Sequence, residues 1–137
     1  VSFVEQSKSV ARLIEQNAET LEVQERMDLS VGSVENFLKK TPETPYDLIL
    51  IDPPYADGWE MHLLTKVDWS QFLVEGGALI LEWGTVKSKF DSLPDQSQNL
   101  QKVREKEYGD SRLTTYVYEP SGQRSSQNEG QSHQGED

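Results

Sequence analysis

The chain has 137 residues, 34% of them hydrophobic, a formal net charge of −11 and no cysteine. That length suits one domain with a modest core. The absence of thiols excludes a disulfide framework and a thiolate metal site, and His62 and His133 are too few and too far apart for a zinc site, so no metal is expected. No apolar run reaches the roughly 18 residues that a membrane helix needs, and no signal-peptide pattern is visible, so the expectation is a cytoplasmic monomer with no membrane partner. The acid excess holds within residues 1–120, with 12 Lys plus Arg against 21 Asp plus Glu. It argues against this surface gripping a phosphate backbone unaided.

Val1 to Glu5 is a short β-rich run that ends in an acid and reads as the middle of a fold. Ser7 can cap a helix on which Val10, Leu13, Ile14, Ala18 and Leu21 share one face. Met27 to Val31 is a weaker strand. Gly32 turns the chain, and Ser33 can cap a helix carrying Val34, Phe37 and Leu38. Tyr46 to Ile51 is the strongest strand: Leu48, Ile49, Leu50 and Ile51 form a continuous apolar run, the pattern of a central parallel strand covered on both faces.

Pro53 and Pro54 end that strand, because neither can donate to a sheet ladder and each biases its predecessor towards extended backbone. Asp52 is therefore held at the carboxyl end of the strand, where open α/β sheets bind ligands, and a stiff turn presents Tyr55.

Trp59 to Val67 reads as a helix with Trp59, Leu63 and Leu64 inward, followed by a helical turn over Asp68–Leu73 that Gly76-Gly77 closes. Ala78 to Trp83 is the second buried strand, and Glu82 near its end could make polar contacts in a site. Lys87 to Asn99 is loop, with room for one helical turn. Lys102–Tyr108 and Leu113–Glu119, joined by Gly109-Asp110-Ser111, predict a hairpin at a sheet edge. Residues 121–137 contain no large apolar side chain and are expected to be a disordered polar tail, leaving 1–120 as the folded domain.

Alternating strands and helices with a closing hairpin predict a doubly wound α/β sheet. Such nucleotide-binding folds carry a glycine-rich turn after their first strand and a ribose-binding acid roughly 20 residues later. Glu5 suits that acid. The glycine turn would then precede Val1, and the chain is expected to be an amino-truncated catalytic domain lacking the first strand.

Asp52-Pro53-Pro54-Tyr55 at a strand end resembles the (D/N)PP(Y/F) motif of S-adenosylmethionine-dependent methyltransferases that modify exocyclic amines. With Phe3-Val4-Glu5, Asn17, Tyr46–Tyr55, Gly76–Glu82 and Tyr108-Gly109-Asp110-Ser111, the chain from Val1 to Tyr118 resembles the bacterial RsmD family, which methylates N2 of a guanine in small-subunit (16S) ribosomal RNA. The resemblance implies a Rossmann-like methyltransferase sheet, mostly parallel with an antiparallel hairpin at its carboxyl end. It implies S-adenosyl-L-methionine as cofactor, contacted by Glu5, Ser33 and Asp52, and catalysis by Asp52, Pro53, Pro54 and Tyr55. Its implied partner is ribosomal RNA; given the acid excess, either the expected upstream segment supplies the positive charge or other proteins present the RNA, as on an assembling small subunit. The family's glycine-rich loop and Arg-rich amino-terminal segment have no counterpart here, and Gly32-Ser33 stands where the family has Gly-Asp.

A delocalised exocyclic amine is a poor nucleophile, and acceptors on its two hydrogens favour a pyramidal nitrogen aimed at the methyl donor. Asp52 carboxylate and the Pro53 carbonyl could be those acceptors, while Tyr55 could stack on a base flipped out of its helix. Two other readings stay open. One is a non-catalytic Rossmann-like interaction fragment. The other is an amino-methyltransferase acting on adenine, cytosine or a protein glutamine, since the corner reads an amine and not a particular base.

Overall fold

A computed structural model describes residues 1–53, 58–86 and 91–120. They fall into two compact units, Val1–Thr41 and the chain from Pro42 onwards.

In the first unit, β1 (Ser2–Glu5) and β2 (Asp28–Val31) pair in parallel, Glu5 opposite Val31, joined by the crossover helix α1 (Lys8–Thr20). Ser7 caps α1 as its sequence predicts, its hydroxyl accepting the Val10 N–H at 3.4 Å. Ser33 likewise caps α2 (Val34–Leu38), accepting the Asn36 N–H at 3.1 Å. The inner stripe of α1 differs from expectation. Ala11 and Ala18 are buried, whereas Val10, Leu13 and Leu21 are exposed. The two alanines sit innermost on the helix, and the larger apolar side chains of the stripe flank them.

The second unit is a five-stranded sheet of order β3-β4-β7-β6-β5, formed by β3 (Tyr46–Ile51), β4 (Leu73–Gly84), β5 (Gln96–Ser97), β6 (Leu100–Tyr108) and β7 (Ser111–Tyr118). β3 is parallel to β4, and the other pairings are antiparallel. Its core gathers Leu79, Leu81 and Trp83 of β4, Thr114 and Tyr116 of β7, Leu63 and Leu64 of α3 (Trp59–Lys66), and Trp69, Phe72 and Leu93. The Trp69 indole donates to the Leu63 carbonyl at 2.8 Å, so this side chain is a packing residue, as its apolar setting suggests.

Several expectations are corrected here. The apolar strand β3, expected at the centre, is the outer strand of this sheet, with β4 as its neighbour among the described residues. β4 starts five residues early and runs through Gly76 and Gly77 instead of being preceded by them. Its register against β3 slips between Tyr46 and Leu48, and Gly76 takes φ 80. At Gly77 a Cβ would lie 2.9 Å from the Val74 carbonyl oxygen and 3.3 Å from that of Asp47. The glycine pair thus builds a bulge inside a strand, where the adjacent backbone comes too close for a side chain. On α3, Glu60 is buried beside Leu63 and Leu64, while Trp59 is only half-buried and packs edge-on to His62. Of the expected loop over 87–99, residues 87–90 lie outside the described residues, and the described part, 91–99, is loop apart from the two-residue strand β5 and carries the buried Leu93. β7, half of the predicted edge hairpin, lies inside the sheet between β4 and β6. The tail lies outside the described residues.

The two faces of this sheet are unequal. Leu79, Leu81 and Trp83 are buried, but Leu48 and Leu50 on the opposite face of β3 are 53% and 69% exposed. Within its own sheet and among the described residues, β3 pairs only with β4, and an apolar strand with one ladder unpaired invites intermolecular pairing. In place of the monomer expected from the sequence, the chain is expected to self-associate through this strand, and Leu50→Lys should lower its apparent mass in sedimentation without changing its circular dichroism. Unchanged association would mean that this edge is not the contact.

Candidate active site

Each unit brings strand ends together at the carboxyl edge of its own sheet. In the first, the Glu5 and Val31 ends lie side by side, and the Gly32 N–H donates to the Glu5 carbonyl at 2.9 Å. The half-buried Glu5 side chain is oriented by the Ser7 N–H, which donates to Oε1 at 2.9 Å. One carboxylate oxygen is thereby fixed by the chain's own backbone, and the second lone-pair set stays available to a hydroxyl donor. Ser33 follows directly, its hydroxyl accepting from Asn36 while keeping its own proton to donate. Glu5, Gly32 and Ser33 thus share one strand-end cluster.

In the second unit, Asp52 leaves β3 with its side chain exposed, and Pro53 behind it is buried. A buried ring with a fixed φ anchors the backbone at the point where the carboxylate emerges. Pro54 and Tyr55 lie outside the described residues. Ile51 pairs with Leu81, so Asp52 emerges level with Glu82 and Trp83 of β4.

Sequence reading found the β6–β7 turn but missed the contacts that tie it to this edge. The β6–β7 turn closes over two residues, with Tyr108 opposite Ser111, and Gly109 supplies the left-handed φ of 58 that such tight turns favour. The Asp110 carbonyl accepts from the Thr85 N–H at 2.9 Å and from the Thr85 hydroxyl at 3.2 Å, tying the turn to the end of β4. Beneath it runs a polar chain. The Trp83 indole donates to the Thr114 hydroxyl at 2.9 Å, which donates in turn to Glu105 Oε1 at 2.9 Å. Lys102 and Arg112 approach the same carboxylate at 3.8 Å and 3.7 Å, and the Arg112 guanidinium lies 5.5 Å from the centre of the Trp83 ring. Arg112 also donates to the Asp91 carbonyl. Burial, reinforced by the carboxylates of Glu105 and Asp95, pushes the Tyr116 hydroxyl well above its ordinary pKa. It stays a neutral donor to the Pro94 carbonyl at 2.7 Å. Apart from the Glu105 pairings with Lys102 and Arg112, these contacts join residues at least nine positions apart, and no local motif marks the pairings.

Among the described residues no cluster of His, Asp and Glu could hold a metal ion, and no helix is long and apolar enough to cross a membrane.

A family model described as Conserved hypothetical protein 95 matches residues 1–117. Among solved structures, a proposed methyltransferase of Escherichia coli, yhhF, superimposes with a TM-score of 0.70 at 21% identity, over 88% of this chain and 63% of that one. A conserved protein of Streptococcus pyogenes gives a TM-score of 0.70 at 24% identity, over 86% of this chain and 71% of that one. A proposed methylase of Haemophilus influenzae gives 0.65 at 23% identity, over 87% and 72%. The chain therefore spans 63% of the length of the Escherichia coli protein. No curated protein matches it in sequence. The shared architecture is the Rossmann-like α/β fold.

Proposed function

We infer, since the chain belongs to the Conserved hypothetical protein 95 family, that of the RsmD-type methyltransferases, that it carries the catalytic part of a methyltransferase for the N2 amine of a guanine in small-subunit ribosomal RNA. The observation that carries this reading is the Asp52–Pro53 corner: an exposed carboxylate on a backbone anchored by a buried proline, at the carboxyl end of a parallel strand. Membership of the family and the fold of its neighbours support the reaction class. The choice of guanine rests on the family alone.

The donor set of the first unit fits S-adenosyl-L-methionine. Glu5 offers a carboxylate oxygen to ribose hydroxyls, and Ser33 offers one hydroxyl towards the adenine side. When bound, that cofactor supplies an electrophilic methyl group on a sulfonium. Everything else falls to the chain. Asp52 accepts one N–H of the target amine and the Pro53 carbonyl the other, so that the nitrogen lone pair is freed from the ring and held in line. Tyr55 stacks on the base. No strong base is required before transfer, because the amine loses its proton only after the new bond has formed. Alignment of this kind is worth roughly 7–11 kcal/mol in favourable cases.

The test is methyl transfer from radiolabelled S-adenosylmethionine to small-subunit ribosomal RNA and to assembling small subunits, with the product nucleoside identified by chromatography. N2-methylguanosine is the expected product. Methyladenosine, methylcytidine or a labelled protein would move the activity to another amine. Absence of any transfer, with calorimetry showing no cofactor binding, would favour the interaction fragment.

A further inference from the structure

Strand β6 sorts its charges by face. Glu105 points inward, where it meets Thr114, Lys102 and Arg112. The bulge between Lys102 and Arg104 resets the alternation, so that Arg104, Lys106 and Tyr108 line up on the opposite face. Arg104 and Lys106 are exposed, and among the described residues no carboxylate stands within 4.0 Å of either; the ion pairs of this sheet engage Lys102 and Arg112 instead. The Lys106 ammonium sits 5.0 Å from the centre of the Tyr108 ring, and that ring is 50% exposed. An acidic chain thus keeps two uncompensated cations and an open aromatic in one row.

The row faces the candidate corner. Lys106 pairs with Leu113, which pairs with Glu82, and Asp52 emerges level with Glu82 on the next strand. Tyr108 pairs with Ser111, which pairs with Gly84, so small residues floor the path between the tyrosine and the end of β4. Three strand spacings separate the line of Asp52 from that of Lys106, about 14 Å. One strand of RNA can touch both.

We propose that Arg104, Lys106 and Tyr108 form a platform for single-stranded RNA flanking the target base, Tyr108 stacking on a neighbouring base and the two cations meeting the phosphates on either side of it. This rests on reading Asp52 as the methyl-transfer corner, because that corner decides which base is the target. Stacking tolerates any base, and two cations suffice to hold one or two phosphates, so the platform orients the strand without reading its sequence.

The experiment is fluorescence anisotropy of a labelled unstructured RNA 12-mer, its abasic analogue and a labelled oligoglutamate, titrated with the chain over a range of salt. Tyr108→Ala should weaken RNA binding about 5-fold or more and leave the abasic analogue unaffected. Arg104→Ala and Lys106→Ala should each flatten the salt dependence by about 0.7 in log–log slope. Lys66→Ala, an exposed lysine on α3, should change neither. The proposal is overturned if Tyr108→Ala binds as the parent does, if Lys66→Ala costs as much as Lys106→Ala, if oligoglutamate binds as well as RNA, or if no RNA binds at all. RNA binding with the expected pattern but without methyl transfer would reject the catalytic reading and leave the platform standing.

Discussion

Replacing Asp52 by asparagine is expected to lower methyl transfer on the order of 10²- to 10³-fold in the chemical step itself, a loss beyond any change in cofactor or RNA affinity. The range is that of removing one preorganised hydrogen-bonding group from a reacting centre. Asparagine keeps the shape of the side chain and one acceptor oxygen, but turns the other acceptor into a donor. An NH2 group facing the target amine repels the hydrogens that the carboxylate would have accepted, so the nitrogen stays planar and its lone pair stays in the ring. The fold should be indifferent, because the Asp52 side chain is exposed while the anchoring is done by buried Pro53. Single-turnover rates separate the step from binding, and calorimetric titration of S-adenosylmethionine checks the cofactor site. Transfer within about threefold of the parent enzyme would remove Asp52 from the chemistry, and with it the argument from the strand-end corner.

Local chemistry in this chain was legible, and assembly was not. Ser7 and Ser33 cap the helices that their positions announce, and Gly109 makes the tight turn between two β-rich runs. Each of these depends on neighbours within a few residues. The same logic placed Asp52 at the end of a parallel strand. Long-range order failed for physical reasons. A run such as Leu48–Ile51 declares that both faces prefer apolar neighbours but does not say which strand supplies them, and β3 turned out to border its sheet with one face open. Gly76-Gly77 reads as a stop because glycine is the commonest breaker; inside β4, Gly76 takes a left-handed φ and Gly77 leaves no room for a Cβ beside the Val74 carbonyl. The stripe on α1 holds as a pattern and fails as a burial map, since periodicity says which residues share a face but not how far each is covered. At the candidate site, the Thr85–Asp110 tie and the Trp83–Thr114–Glu105 chain join residues far apart in sequence, and only the antiparallel pairing of β4, β7 and β6 makes them neighbours.

Trp83→Ala is expected to be the most damaging single truncation in the second unit, at about 3–5 kcal/mol. The side chain is 1% exposed and lies two residues before the Thr85 that holds the β6–β7 turn. Its loss opens a cavity beneath that turn, removes the ring on which Arg112 lies, and leaves the Thr114 hydroxyl with Glu105 alone. Two milder variants separate packing from hydrogen bonding. Thr114→Val keeps the volume but strands the indole N–H in the core and takes a donor from Glu105, at about 1–3 kcal/mol. Adding Trp83→Phe to Thr114→Val removes the stranded donor together with its lost acceptor. The second substitution should then cost less in the valine background than alone, because the two groups share one bond and their effects cannot add. Thermal unfolding followed by near-ultraviolet circular dichroism reads these differences, at about 4–8 °C per kcal/mol for a unit of this size. If the costs of Trp83→Phe and Thr114→Val simply sum, the indole–hydroxyl bond contributes nothing to the edge on which Asp52 stands. The tie between the β6–β7 turn and the end of β4 would then rest on the strand ladder and the Thr85–Asp110 contact.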